Sequence, residues 1–370
     1  MGSLRRKIER TMTQGDGAAR LFSSPFEWIL YACSRAYELA MGLRPSLYHK
    51  GVFRQKGLPC RVISIGNLTV GGTGKTPMVH YVANLLKGIG LKVAVISRGY
   101  GGYAQRSGGL VSDGKTTLMG PEASGDEPQL LAAKLNGIPL FVGKDRCRAA
   151  RRAIREFGAS VLVLDDGFQH LRIRRDLDLL LLDSTRPFGN GYCIPRGTLR
   201  EPVEQMKRAT AIVFTRWTDI RCPTREQSII EACAKGRPIF KSMHVPEALY
   251  LGGKEESLDL ASLRGRRLFA FSGIGRNESF RETIGELEGH LLGFHEFPDH
   301  HRYSSHDLSS VWKRARDLKV DSIITTEKDF VKIHTGIPPT PPLLVLAISI
   351  SFGDDGERFD SYVRNWALSL

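Results

Sequence analysis

The segment Thr69-Val70-Gly71-Gly72-Thr73-Gly74-Lys75-Thr76 has residue types and spacing that define a chemistry. Glycines let a chain curl until successive backbone N–H groups converge on phosphate oxygens, and the start of a following helix adds a favourable dipole. In such a loop Lys75 reaches the terminal phosphates of a nucleotide, and Thr76 offers its hydroxyl to Mg²⁺. The β-branched run Val62–Ile65 comes before the loop, and apolar residues at helical spacing follow it (Met78, Val82, Leu85, Leu86, Ile89). This is the strand–loop–helix setting that phosphate binding requires. Thr69 stands where the first Gly of G-x-x-x-x-G-K-[ST] is usual, and Gly71 and Gly72 supply the same backbone freedom.

A phosphate loop needs an acidic partner at the end of a nearby strand to hold the magnesium shell. Val161-Leu162-Val163-Leu164-Asp165-Asp166 has that form, with Asp165 the magnesium-shell carboxylate and Asp166 beside it. Leu179–Leu182 followed by Asp183 has the same look and stays open as the alternative. Asp165 is the preferred choice because Asp-Asp-Gly-Phe-Gln-His makes a dense polar cluster just after its strand.

Two further clusters offer acid–base groups. Gly125-Asp126-Glu127-Pro128 opens a helix, and its adjacent carboxylates suit metal binding or base chemistry. They are also ordinary first-turn residues. In Pro298-Asp299-His300-His301, an imidazole that titrates near neutrality suits proton removal from a hydroxyl, and a neighbouring carboxylate orients the ring. The competing reading is a solvated loop histidine. Thr326-Glu327-Lys328-Asp329 lacks the residue that separates Lys and Asp in the guanine-specificity motif, so ATP is the expected nucleotide.

The elements that must position these groups alternate between strand and helix. Strands are expected at Val62–Ile65, Lys92–Ile96, Pro139–Val142, Val161–Leu164, Leu177–Leu182 and Ala211–Phe214. Helices are expected at Lys75–Ile89, Glu127–Leu135 and Asp145–Phe157. Short apolar strands joined by helices imply an α/β fold of P-loop NTPase type, its sheet mainly parallel and covered on both faces. A second group holds strands at Leu268–Phe271, Ser322–Thr326 and Leu343–Ile348 and a helix at Ser305–Leu318. The expected organisation is an N-terminal segment over 1–50, a P-loop core over 51–235, an irregular linker over 236–266 and a smaller α/β domain over 267–370. A chain of 370 residues is long enough for two cores.

In the N-terminal segment, Ser24 and Glu27 have capping-box spacing, and Pro25 falls at the first helical position. The helix should end near Met41, with Gly42 and Pro45 as its stop. It is rich in aromatic residues, yet Glu27, Arg35 and Glu38 argue against spanning a bilayer, which takes about 20 mostly apolar residues. Two readings stay open: a helix lying in a membrane interface, or one packed on the protein's own core. Lys and Arg number 53 against 39 Asp and Glu, a net charge of +14 that fits an anionic partner (nucleic acid, acidic membrane or phosphorylated substrate), with solubility alone as the plain alternative. The six cysteines show no C-x-x-C pair and read as free thiols in a reducing compartment. Arg5, Arg6 and Lys7 lead into polar sequence rather than the apolar core of a secretory signal.

Taken in order, these pieces resemble the tetraacyldisaccharide 4′-kinase family of lipid A biosynthesis. The resemblance is carried by Gly66-Asn67-Leu68-Thr69 running into the loop, Ser97-Arg98-Gly99-Tyr100-Gly101-Gly102, Gly125-Asp126-Glu127-Pro128, Asp165-Asp166-Gly167-Phe168-Gln169-His170 and Phe188-Gly189-Asn190-Gly191. Leu199-Arg200-Glu201, Gly273-Ile274-Gly275, Asp299-His300 and Thr326-Glu327-Lys328-Asp329 complete it, over about residues 60 to 332. It implies ATP and Mg²⁺ as cofactors and transfer of the γ-phosphate to the 4′-hydroxyl of an acylated disaccharide 1-phosphate lipid, giving lipid IVA. It implies His300 as base with Asp126 as its carboxylate, and Glu127 with Asp165 and Asp166 joining Thr76 around Mg²⁺. Arg146 and Arg200 would meet phosphate, Tyr100 and Asn67 would lie near the acceptor, and closure of the smaller domain would carry His300 toward it. It further implies a peripheral or monotopic protein on the anionic cytoplasmic face of a Gram-negative inner membrane, with no nucleic-acid partner. His301 beside His300, and Arg276 after Gly273-Ile274-Gly275, depart from the family pattern. A nucleotide-switched P-loop protein and a kinase of a soluble small molecule are the rival readings.

Overall fold

A computed structural model describes residues 8, 11–12, 24–217, 224–252, 257–333 and 338–369. Arg5, Arg6 and Lys7 of the basic N-terminal stretch, and Cys222, lie outside the described residues. Two compact units form, and their segments alternate along the chain. Met1–Arg98, Asp145–Met243 and Ser351–Leu370 make the first; Gly99–Lys144 and His244–Ile350 make the second. The expected boundaries ran once along the sequence. The chain instead leaves the first unit after two strands, returns at Asp145, leaves again after Met243 and comes back at Ser351.

The first unit begins with helix α1 (Pro25–His49), capped by Ser24, whose hydroxyl accepts from the Glu27 N–H. The helix runs on through Gly42 and Pro45, where the sequence predicted a stop. Proline removes one helical N–H, but tertiary contacts hold the turn. The Gly42 carbonyl accepts from Gln205 at 3.5 Å, and Arg44 donates to the Gln169 carbonyl at 3.1 Å. Then come β1 (Arg61–Asn67), α2 (Lys75–Gly88) and β2 (Val93–Ser97). The returning segment supplies α3 (Arg146–Phe157), β3 (Val161–Asp165), β4 (Leu177–Asp183), β5 (Ala211–Thr215), α4 (Thr224–Ala234) and β6 (Ile239–Lys241), and the last adds α5 (Gly356–Leu368). The strands lie in the order β2-β3-β1-β4-β5-β6, every pairing parallel. β1, β3 and β4 are buried nearly throughout, as a sheet covered on both faces requires. β1 therefore has β3 on one side and β4 on the other, and Ile65 pairs with Asp165 while Asn67 pairs with Leu181. The loop after β1 is flanked by the C-terminal ends of two acidic strands.

The second unit starts with an antiparallel pair, β7 (Gly109–Ser112) and β8 (Leu140–Val142), which encloses the short helix Pro121–Ser124 and then α6 (Asp126–Lys134). The later segment builds a sheet from β9 (Met243–Leu251), β10 (Ser257–Leu258), β11 (Arg267–Ser272), β12 (His290–Glu296), β13 (Ser322–Thr326) and β14 (Leu343–Ser351), in the order β10-β9-β14-β13-β11-β12. Helices α7 (Asn277–Glu286) and α8 (Ser305–Asp317) accompany it. Trp312, Phe271 and Val311 are fully buried in one core cluster, and Leu268, Ile324 and Leu344 in another. The expected irregular linker over 236–266 is corrected here, because β9 alone fills nine residues of it. Pro246 and Glu247 obscure this strand in sequence. It tolerates the proline because β10 covers it only at Leu249 and Tyr250.

Candidate active site

In the first unit the phosphate loop is held at both ends. The Val70 N–H donates to the Thr198 carbonyl at 2.7 Å, and Thr69 bridges Leu199. Gly74 caps α2 in the left-handed region at φ +77°, and Gly71 sits at φ +122°. Lys75 and Thr76 then form the first turn of α2, where N–H groups lack helical partners. The Lys75 ammonium lies 3.2 Å from Asn67 Oδ1 and 3.7 Å from Asp166 Oδ1. Asn67 is fully buried, and its amide donates to the Thr69 carbonyl at 2.8 Å. The resemblance put Asn67 near the acceptor. Its burial instead puts it in the framework of the loop, where its carbonyl steers Lys75 and its amide fixes the loop's entry.

The two candidate magnesium strands separate by their contacts. Asp165, buried at the end of β3, accepts from Ser97 Oγ at 2.7 Å. Asp183, at the end of β4, receives Arg216 at 2.6 Å and the Thr185 hydroxyl at 2.8 Å. Asp166 adopts φ +48°, rare for a residue with a Cβ. Its carboxylate accepts from Arg200 at 2.6 Å, and its carbonyl from the buried Arg146 at 2.8 Å. Burial raises the Asp166 pKa, but Lys75, Arg200 and Arg146 outweigh it and hold the group far below the ordinary carboxylate range. A carboxylate ringed by three cations is a counter-ion that keeps them together. Asp165, buried at the very end of its strand beside the phosphate loop, is the candidate for a metal shell.

Arg200 arrives on a loop shaped by the Phe188–Gly191 motif. Asn190 donates to the Arg196 carbonyl at 3.2 Å, and Phe188 is buried in the core. A Cβ on Gly189 would fall 2.0 Å from the Thr198 hydroxyl. The loop returns along the phosphate loop, where the Arg200 N–H donates to the Leu68 carbonyl at 2.7 Å. From α1, the Tyr37 hydroxyl donates to the Arg200 carbonyl at 3.0 Å.

The second unit gathers the candidate acid–base residues. Gly125, at φ +90°, leads into α6, and a Cβ there would lie 2.3 Å from the Tyr100 carbonyl. One on Gly102 would lie 2.2 Å from the Ala123 carbonyl. These close approaches lock the Tyr100 loop against the turn that presents Asp126 and Glu127. His300 Nδ1 is 3.4 Å from Asp126 Oδ2, and its ring centroid is 6.2 Å from that of Tyr100. Burial opposes ionisation of Asp126, yet the His300 hydrogen bond and the charges of Lys332, His300 and Lys328 hold its pKa below the usual value. Lys328 ties the set together, 3.2 Å from Asp299 and 3.7 Å from Glu127. The neighbouring His301 is used differently: it stacks on Phe297 at 4.6 Å and meets Asp307 at 3.2 Å. Asp307 is itself in the capping box of α8. The Thr326–Asp329 run also has an internal role, since the buried Asp329 accepts from Thr326 Oγ1 and the Gly273 N–H.

The predicted residues thus fall into two sets. Asn67, the loop 69–76, Arg146, Asp165, Asp166 and Arg200 belong to the first unit; Tyr100, Asp126, Glu127 and His300 belong to the second. Lys328 joins the second set, and its signal was the Thr-Glu-Lys-Asp run. Arg216 joins the first. Its signal was position, one residue past a parallel strand, where α/β sheets gather ligands. Among the described residues no group of three or more His, Cys, Asp or Glu side chains forms a metal cage. Mg²⁺ does not need one, because it keeps waters and phosphate oxygens and takes only one or two protein donors. Thr76 and Asp165 fit that demand.

An α/β sheet with this loop after its central β1 strand defines a P-loop nucleotide-binding protein. The family described as tetraacyldisaccharide-1-P 4′-kinase, LpxK, matches residues 26–367, and the chain belongs to it. It is 44% identical over 326 residues to tetraacyldisaccharide 4′-kinase of Syntrophus aciditrophicus (strain SB), covering 86% of this chain and 87% of the relative. It is 40% identical over 373 residues to that of Desulfatibacillum aliphaticivorans, covering 99% and 98%. The solved structure of Aquifex aeolicus LpxK, described as an "apo" form in complex with ATP, matches with a TM-score of 0.73 and 31% identity, covering 92% of this chain and 99% of that one.

Proposed function

We propose that the protein transfers the γ-phosphate of ATP to the 4′-hydroxyl of a tetraacylated disaccharide 1-phosphate, forming lipid IVA in lipid A biosynthesis. The family match across residues 26–367 carries this reading, and it disfavours both the nucleotide-switched protein and the kinase of a soluble small molecule. Phosphoryl transfer needs alignment and charge neutralisation more than covalent help from the protein. Loop amides and Lys75 hold the triphosphate, and Arg146 and Arg200 set the positive field around it. Mg²⁺, which Thr76 and Asp165 would hold, would neutralise phosphate charge, and Glu127 is the second unit's own candidate carboxylate. His300, aimed by Asp126, takes the proton from the acceptor hydroxyl, with Tyr100 beside it.

The acceptor is a lipid, and α1 offers a surface for its membrane. Leu30, Ser34 and Tyr37 face the unit's own core, with Ser34 donating to the Cys193 carbonyl at 2.7 Å. Trp28, Ile29, Leu39 and Leu43 are 54–67% exposed, and at 3.6 residues per turn they share an arc of roughly 100° on the opposite side. One face of α1 thus packs on the protein's own core, and the other is exposed, which supports the interfacial reading for that face. Among the described residues no helix is long and apolar enough to cross a membrane. We infer docking on the anionic cytoplasmic face of the inner membrane, aided by the net positive charge. The test is ADP release with and without the acylated disaccharide monophosphate: release that depends on this acceptor supports the reading, and equal release without it contradicts it.

A further inference from the structure

At Gly71 and Gly72 the phosphate loop has no side chain of its own to fix it. A Cβ at Gly71 or Gly72 would meet nothing within 4 Å. Two adjacent glycines with open surroundings can turn their peptide planes freely, so hydrogen bonds must set which way those planes face.

Such a bond comes from the far side of β4. Arg216 Nη2 donates to the Gly72 carbonyl at 2.6 Å, while its Nη1 meets Asp183 Oδ2 at 2.6 Å. Asp183 is held in turn, because its Oδ1 accepts from the Thr185 N–H at 3.1 Å and hydroxyl at 2.8 Å. The Arg216 backbone sits at φ +52°, a conformation non-glycine residues adopt at a cost of about 1–3 kcal/mol. Its carbonyl is secured by the Ser184 hydroxyl at 2.6 Å, and the next N–H, from Trp217, donates to Ser242 at 2.8 Å. The guanidinium is therefore a rigid fork on a fixed base, with one tine on a carboxylate and the other on the loop.

We propose that Arg216 is a positioning residue for nucleotide binding, which sets the Gly72–Thr73 peptide so that its N–H faces the phosphates. In a trans peptide the C=O and N–H point in opposite directions. Holding the Gly72 oxygen outward aims the Thr73 N–H inward, where the cradle needs a donor. Asp183, the alternative magnesium carboxylate of the sequence, then serves as the anchor of this fork. The inference rests on the ATP-binding reading above and adds a residue that reading did not include.

The test uses the full chain and its Arg216→Lys, Arg216→Ala and Asp183→Asn variants, with ATP affinity measured by titration alongside the melting temperature and the KM for each substrate. Lysine keeps the ion pair with Asp183 but cannot fork to Gly72. Arg216→Lys should therefore melt like the parent yet bind ATP about tenfold more weakly. Its KM for ATP should rise while its KM for the acceptor stays within about twofold. Arg216→Ala should weaken ATP binding at least as much, and Asp183→Asn less. Parent-like ATP affinity in a folded Arg216→Lys variant, or a lowered melting temperature with unaltered ATP affinity, overturns the proposal. Failure of the parent itself to bind ATP would instead overturn the kinase reading and this inference with it.

Discussion

His300 and Asp126 are 174 residues apart in the chain, and their Nδ1 and Oδ2 atoms are 3.4 Å apart. Two local devices make the pairing. His300 takes a left-handed backbone, φ +59°, stabilised by its own N–H donating to Asp299 Oδ1 at 3.0 Å. Asp126 opens α6 after a glycine that no other residue could replace without striking the Tyr100 carbonyl. The exposed ring thus has a fixed direction against the carboxylate, the geometry that the proposed base requires.

If His300 is that acceptor, His300→Ala lowers kcat by about 10²–10⁴ and leaves ATP affinity unchanged. His301→Ala removes a ring stacked on Phe297 and a partner of the α8 capping box, so its effect falls on melting temperature. Steady-state kinetics and thermal unfolding of both variants check this. A large kcat loss confined to His301→Ala would reverse the assignment.

Gly102→Ala places a methyl group 2.2 Å from the Ala123 carbonyl. The contact is with backbone, so the Tyr100 loop or the Asp126 turn must move. The expected outcome is a loss of about 1–3 kcal/mol in denaturant unfolding, accompanied by a fall in kcat because Asp126 shifts away from His300.

Acid stability should report on His170. Burial, then the nearby charges of Arg146, Arg175 and Arg44, push its pKa down to about 3. The unfolded chain takes up this proton near pH 6.5, whereas the folded chain does not until about pH 3. Between those values the unfolded state binds more protons, so stability falls as the pH drops through that window. His170→Gln removes this contribution, and its melting temperature should decline less than the parent's between pH 6.5 and 4. A parallel decline in both proteins would contradict it.

The exposed face of α1 is tested by Leu39→Glu with Leu43→Glu. These charges leave Ser34, Tyr37 and Arg44 in place, so ATP affinity stays at the parent value while binding to vesicles containing anionic lipid drops by at least about tenfold. Unchanged partition into such vesicles would exclude this face as the docking surface.

Much of this was legible in the sequence because the physics is local. The loop at 69–76 carries its own geometry in its glycines, and β1, β3 and β4 read as apolar runs because both sheet faces bury them. What escaped depends on distant partners. β9 hides behind Pro246 and Glu247, and α7 shows only Phe280 and Ile284 as buried apolar residues. α1 passes its proline because Gln205 and Arg44 brace it from the side. Asp166 reads as a metal ligand from its strand end alone, whereas the fold brings Lys75, Arg200 and Arg146 around it. Arg216 depends on a meeting of β1, β4 and β5 that no local pattern announces.

Phosphate transfer to the acceptor is read by incubating the protein with ATP labelled at the γ-phosphate and the acylated disaccharide monophosphate, then locating the label in the recovered lipid by phosphorus NMR and mass spectrometry. The expected result is a second phosphate on the lipid, at the 4′ position, with the parent protein and none with Lys75→Ala. Label that appears only as inorganic phosphate, or that enters the lipid equally with Lys75→Ala, would contradict it.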